Sequence, residues 1–121
     1  MEKTHAMAAL AALAQENRLD VFRLLVQAGP DGLPAGRVAR QLGLAPNALT
    51  FHLDRLRDAG LVSVRRDGRS MIYAAQYGTM NALLGYLTEN CCEGAPQSCA
   101  PQTCAPSDRK NMRAKRAKVP A

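Results

Sequence analysis

Several features are missing from this 121-residue chain. It has no run of about twenty apolar residues, so no membrane-spanning helix is expected. No charged, then apolar, then cleavable segment opens it, so no secretory signal is expected, and the chain reads as cytoplasmic. It also lacks a glycine-rich phosphate loop, a nucleophile with an evident base and orienting partner, and a carboxylate pair suited to acid–base chemistry. An enzyme is therefore not expected. The four cysteines include no Cys-x-x-Cys pair, which argues against the usual structural zinc module and the usual thiol oxidoreductase. Even the basic excess is thin over most of the chain. The formal net charge is +6, but six cations crowd residues 109–118, whereas residues 1–107 hold ten Lys or Arg against nine Asp or Glu. Any attraction to polyanions must come from where particular arginines stand, not from bulk charge.

What the chain does contain centres on residues 34–73. Val38, Ala39 and Leu42 are spaced for one helical face, and a Gly43-Leu44-Ala45 break separates them from Leu49, Leu53 and Leu56. Two short helices meeting at a sharp corner are predicted. Pro34 and Pro46 suit first helical turns, where a missing N–H costs nothing, and Gly60 reads as a helix stop. Two β segments, 61–65 and 70–74, then flank Asp67-Gly68, a dipeptide suited to a hairpin turn. The fold class expected is mainly α with a small β-hairpin, a winged helix-turn-helix.

With the leucines inward, Asn47, Thr50, Phe51 and Arg55 point outward from the second helix and can meet base edges and phosphates in a major groove. Arg65, Arg66 and Arg69 lie on the hairpin, within reach of backbone phosphates or the minor groove. The competing reading is that these arginines only solvate a surface hairpin. His52 lies beside the leucine face and reads as a packed or capping histidine before a base reader or ligand.

The block from Gly43 to Leu53, followed by Leu56-Arg57-Asp58-Ala59-Gly60-Leu61-Val62, resembles the recognition-helix signature of the ArsR/SmtB family of metal-responsive repressors. Asp67-Gly68-Arg69 and Tyr73 are similar to that family's wing. The resemblance spans about residues 4–92 and departs at Ala45, where the family usually has a serine cap, and at Pro46 and Phe51. It implies a transcriptional repressor that binds double-stranded operator DNA as a homodimer, with no membrane partner.

Upstream, residues 4–14 form an Ala-rich amphipathic segment with Met7, Leu10, Ala11 and Ala14 on one side, and a helix over 17–28 should bury Leu19, Phe22, Leu25 and Val26. After the hairpin, Met80, Leu83, Leu84 and Leu87 recur at helical spacing over 78–90. In the family that resemblance points to, the first and last helices make the dimer interface. The expected division is a DNA-binding and dimerisation domain over 1–92 and a flexible Cys/Pro loop with a basic tail over 93–121. The tail reads as salt-sensitive DNA attraction or as a solubilising end.

Cys91-Cys92 precede a tandem pentapeptide, Gln97-Ser98-Cys99-Ala100-Pro101 and Gln102-Thr103-Cys104-Ala105-Pro106. Proline and glycine allow the segment to fold back, bringing a third thiolate to the adjacent pair. Thiolates with no histidine among them suit a soft ion, because hard cations demand oxygens. Trivalent arsenic or antimony takes three sulfurs, so Cys91, Cys92 and Cys99 are the leading set, with Cys104 a possible substitute. The family's frequent Cys-x-Cys on the first helix of the helix-turn-helix is absent from 33–42, whereas Glu89-Asn90-Cys91-Cys92 resembles the arsenic-responsive branch whose site ends the last helix. Zinc, cadmium or lead sensing, a thiol-oxidation switch, and cysteines without a role stay open beside it.

Overall fold

Helix α1 (Lys3–Leu13) turns its smallest side chains inward: Ala6, Ala9 and Ala12 are buried. Met7, Leu10, Ala11 and Ala14, which their spacing places on one side, share an exposed side, with Met7 61% exposed. A helix apolar all round has no single face that hydrophobicity selects, and alanines permit the closer approach to neighbouring helices. The computed structural model describes residues 1–91.

Helix α2 (Glu16–Ala28) starts on Gln15, whose side-chain oxygen accepts from the Arg18 N–H at 2.9 Å. Arg18 then reaches back, its Nε donating to the Ala12 carbonyl at 2.7 Å, so one guanidinium satisfies an orphan carbonyl at the end of α1. Val21, Phe22 and Leu25 are buried. Leu19, expected in that face, is exposed. Val21 takes the inner position in its place.

A two-residue strand absent from the expectation follows: β1, Leu33–Pro34. Pro34 is therefore not in the first helical turn but caps it in an extended conformation (φ −65°, ψ 146°), and α3 runs Ala35–Leu42. Gly43 is left-handed at φ 67°, and the Leu44 N–H returns to the Ala39 carbonyl at 3.0 Å. Helix α4 (Pro46–Asp58) begins with Pro46 in its first turn, as expected. It ends with the Gly60 N–H on the Arg57 carbonyl and the Leu61 N–H on the Leu56 carbonyl, the paired bonds of a Schellman motif, with Gly60 at φ 80°.

Strands β2 (Val62–Asp67) and β3 (Ser70–Ala75) form the hairpin, and β1 pairs on the other side of β3, giving an antiparallel three-stranded sheet in the order β1-β3-β2. Asp67 pairs with Ser70, so the turn centres on Gly68-Arg69 and not on Asp67-Gly68. Only Gly68 of the two carries a positive φ, 64°, the demand of a type II′ turn. Gly32 lies against β3, where an added Cβ would collide with the Tyr73 carbonyl oxygen. Helix α5 (Tyr77–Leu87) buries Leu83.

The core joins Leu25, Val38, Leu49, Leu53, Leu56 and Leu61, all at most 2% exposed. Each fully buried leucine contributes about 1.5–3 kcal/mol, so α4 is fixed chiefly by its leucine row. Met1–Leu87 form one unit, and Thr88–Cys91 belong to a second, described by itself. Among the described residues, no helix is long and apolar enough to cross a membrane.

Candidate nucleic-acid interface

Burying Leu49, His52, Leu53 and Leu56 leaves the opposite side of α4 to Asn47, Phe51, Asp54 and Asp58, with Thr50 and Arg55 on its flanks. Asn47, Thr50, Phe51 and Arg55 are all exposed, as their spacing predicted. The Thr50 hydroxyl donates to the Pro46 carbonyl at 3.0 Å. Its proton is thereby committed, and the lone pairs and methyl remain for a partner. The Arg55 guanidinium lies over the Phe51 ring, 4.9 Å from its centroid. Both border a groove of about 440 Å³ between α1 and α4, with Ala8, Ala11, Arg18 and Asp58 on its other walls.

Asp54 and Asp58 were not singled out from the sequence, although they stand three and seven residues beyond Phe51 and helical spacing alone would have found them. Asp54 is half-exposed and lies 3.7 Å from Arg57. Two carboxylates on the outer side disfavour phosphates near the C-terminal half of α4.

On the wing, Arg65, Arg66 and Arg69 are exposed. Arg65 is not free: its Nη1 donates to the Asp31 carbonyl at 3.1 Å, tying the hairpin to the turn before β1. Arg69 occupies the turn itself. The base of the hairpin is buried at Val62 and Ile72–Ala75, whereas its tip, 65–71, is exposed.

His52 is a packed histidine, 8% exposed, with its ring edge-on to Phe51 at 5.8 Å between centroids. Its Nδ1 is buried and has no hydrogen-bond partner among the described residues. Burial, and then the Arg18 charge, hold its pKa below the ordinary imidazole value. It is neutral at neutral pH.

Of the proposed thiolates, Cys91 is half-buried, and its N–H donates to the Thr88 carbonyl at 3.0 Å. Helix α5 stops at Leu87, short of the expected 90, and Asn90 takes a left-handed φ of 59°, a conformation asparagine tolerates. Cys92, Cys99 and Cys104, the 92/93 domain boundary and the basic tail lie outside the described residues.

A helix presented across a tight turn by its predecessor, with a basic-tipped hairpin alongside, defines a winged helix-turn-helix protein. Residues 13–65 match the family model of a helix-turn-helix domain. The HTH-type transcriptional regulator YgaV of Escherichia coli (strain K12) is 33% identical over 87 residues, 72% of this chain and 86% of YgaV. The transcriptional activator HlyU of Vibrio cholerae serotype O1 is 32% identical over 95 residues, 77% of this chain and 85% of HlyU. The homodimeric winged helix-turn-helix DNA-binding domain of Mb0332 from Mycobacterium bovis, a possible ArsR-family regulator, shares the fold, with a TM-score of 0.59, 24% identity, and coverage of 72% of this chain and 81% of that one. The chain belongs to the family of helix-turn-helix transcriptional regulators that includes YgaV and HlyU, which are DNA-binding proteins and not enzymes.

Proposed function

We propose that the protein is a cytoplasmic transcriptional repressor that grips double-stranded operator DNA as a homodimer and releases it when As(III) or Sb(III) is captured by the thiolates of Cys91, Cys92 and Cys99, with Cys104 able to substitute. The observation that carries the DNA half is the exposed row Asn47, Thr50, Phe51 and Arg55 on a helix locked to the core by its leucines. Arg65, Arg66 and Arg69 supply the flanking phosphate contacts. Dimerisation is supported by exposed Met7 and Leu10 on α1 and Leu84 and Leu87 on α5, large apolar side chains that a second copy would cover. Two protomers would then set two α4 helices about one DNA turn apart.

The arsenic half rests on the chemistry of the cysteines. Vicinal thiols followed by two more in a repeat, with no histidine among them, favour a soft ion that accepts three sulfurs. Such capture requires thiolates, so it releases protons and weakens as pH falls. Linkage makes the effect reciprocal: whatever factor the ion takes from DNA affinity, DNA takes from ion affinity.

The test is a titration of labelled upstream DNA with arsenite, followed by fluorescence anisotropy, with protein-bound arsenic measured in the same samples. Stoichiometric release that disappears when Cys91→Ser and Cys92→Ser are combined supports the reading. Release that survives the double substitution rejects the cysteine pair. Parallel titrations with zinc, cadmium, lead and peroxide identify a zinc-, cadmium- or lead-responsive or thiol-redox-responsive regulator of the same fold. A promoter reporter then separates repression from the activation that HlyU's name describes.

A further inference from the structure

We infer that Phe51 and Arg55 form a single base-reading unit, with Arg55 reading a guanine and Phe51 the methyl group of an adjacent thymine. The inference rests on the DNA-binding reading above and adds the bases that this helix selects.

The argument begins with how Arg55 is held. Its guanidinium lies 4.9 Å from the centre of the Phe51 ring, and among the described residues it has no carboxylate within salt-bridge distance, the one such pair being Asp54 with Arg57. Stacking occupies a flat face of the guanidinium and leaves the in-plane N–H donors open. A fork held in this way loses little freedom on meeting two acceptors side by side, and in the major groove the matching pair is O6 and N7 of guanine.

A phosphate also offers paired acceptors, but two features of α4 disfavour one here. Asp54 and Asp58 stand on the same outer side, and Asp58 borders the groove that Arg55 lines, so a phosphate would approach two carboxylates. Phe51 is 51% exposed on the side opposite the leucine row. A ring so placed finds only deoxyribose carbons along the backbone, whereas the floor of the major groove offers a methyl group on thymine. The ring and the fork it supports therefore face neighbouring base pairs.

The experiment is selection of duplexes from a random pool by the full-length reduced protein, followed by affinity measurements on the selected duplex with two single-atom-class replacements: 7-deazaguanine for guanine and deoxyuridine for thymine. The expected result is an enriched site with guanine next to thymine, about tenfold weaker with the deaza base and about threefold weaker without the methyl. In Phe51→Ala, the methyl should cease to matter and the deaza penalty should shrink, because the fork has lost its support. Arg55→Ala should keep the methyl effect and lose the guanine preference. An enriched site without this doublet, or equal binding of both analogues, overturns the inference while leaving DNA binding standing. A pool with no enrichment removes the DNA-binding reading and this one with it.

Discussion

The hydroxyl of Tyr77, the first residue of α5, donates to the carbonyl of Val26 in the last turn of α2 at 2.8 Å, across 51 positions of sequence. That carbonyl is one of the four a helix leaves without a partner, so the last helix caps the second. Tyr77→Phe keeps the ring and removes the bond. It should destabilise the protein by about 1 kcal/mol, read as a lower urea midpoint with unchanged slope; an unaltered midpoint would show the bond to be energetically idle.

Gly32 and Gly68 both carry positive φ, 76° and 64°, but differ in their surroundings. A methyl at Gly68 meets nothing within 4 Å, so Gly68→Ala should cost only the conformational penalty of about 1–2 kcal/mol. At Gly32 the same methyl collides with the Tyr73 backbone, and Gly32→Ala should cost clearly more, about 3 kcal/mol, because β1 must leave β3. Equal melting temperatures for the two variants would contradict the close approach of β1 to β3.

His52 binds its proton less readily in the folded chain than in the unfolded one. The unfolded state therefore holds more protons once pH drops through the ordinary imidazole range near 6.5. Stability should be flat above that range and decline below it until the folded ring is itself protonated. His52→Gln should flatten this part of the pH profile. A wild-type profile with no decline below about pH 6.5, measured by denaturant unfolding, would refute the lowered value.

Arg69 occupies the exposed hairpin turn, whereas Arg65 also holds the Asp31 carbonyl. If both reach phosphates, Arg69→Ala should weaken binding to all sequences alike and reduce the slope of log affinity against log salt by about one. Arg65→Ala should do the same and also release the wing from the turn before β1, seen as faster amide exchange near Asp31. An unchanged salt slope in Arg69→Ala would place that residue away from DNA.

Met7 and Leu87 are exposed in the single chain, so charging them leaves the core intact. Met7→Lys together with Leu87→Lys should raise the dimer dissociation constant at least about tenfold. Sedimentation should show the monomer at concentrations where the parent is dimeric, with the circular dichroism unaltered. A variant that stays dimeric would move the interface elsewhere.

The helix-turn-helix was readable because Leu49, Leu53 and Leu56 alternate with polar residues at a clean helical spacing, and glycines at 43 and 60 mark the stops. On α1 the shared side of Met7 and Leu10 was legible, but its outward direction was not, because these residues are as apolar as the alanines buried opposite them. Strand β1 was missed for another reason: two residues give no period, and their order comes from pairing with Tyr73 and Ile72. A separation of 34 positions likewise hid the Arg65 to Asp31 bond. At the interface, the outward set on α4 was legible from spacing, but the Phe51–Arg55 stack depends on rotamers, which spacing does not determine.

Leu61 closes the end of α4 with its N–H, while its carbonyl accepts the Gln76 N–H at 2.8 Å where β3 gives way to α5. One residue thus anchors the helix and both legs of the hairpin, so the two cannot swing independently. On the proposed DNA reading, this joint sets the spacing between the base pairs met by the helix and those met by the hairpin, so inserting or deleting a pair between them should weaken binding.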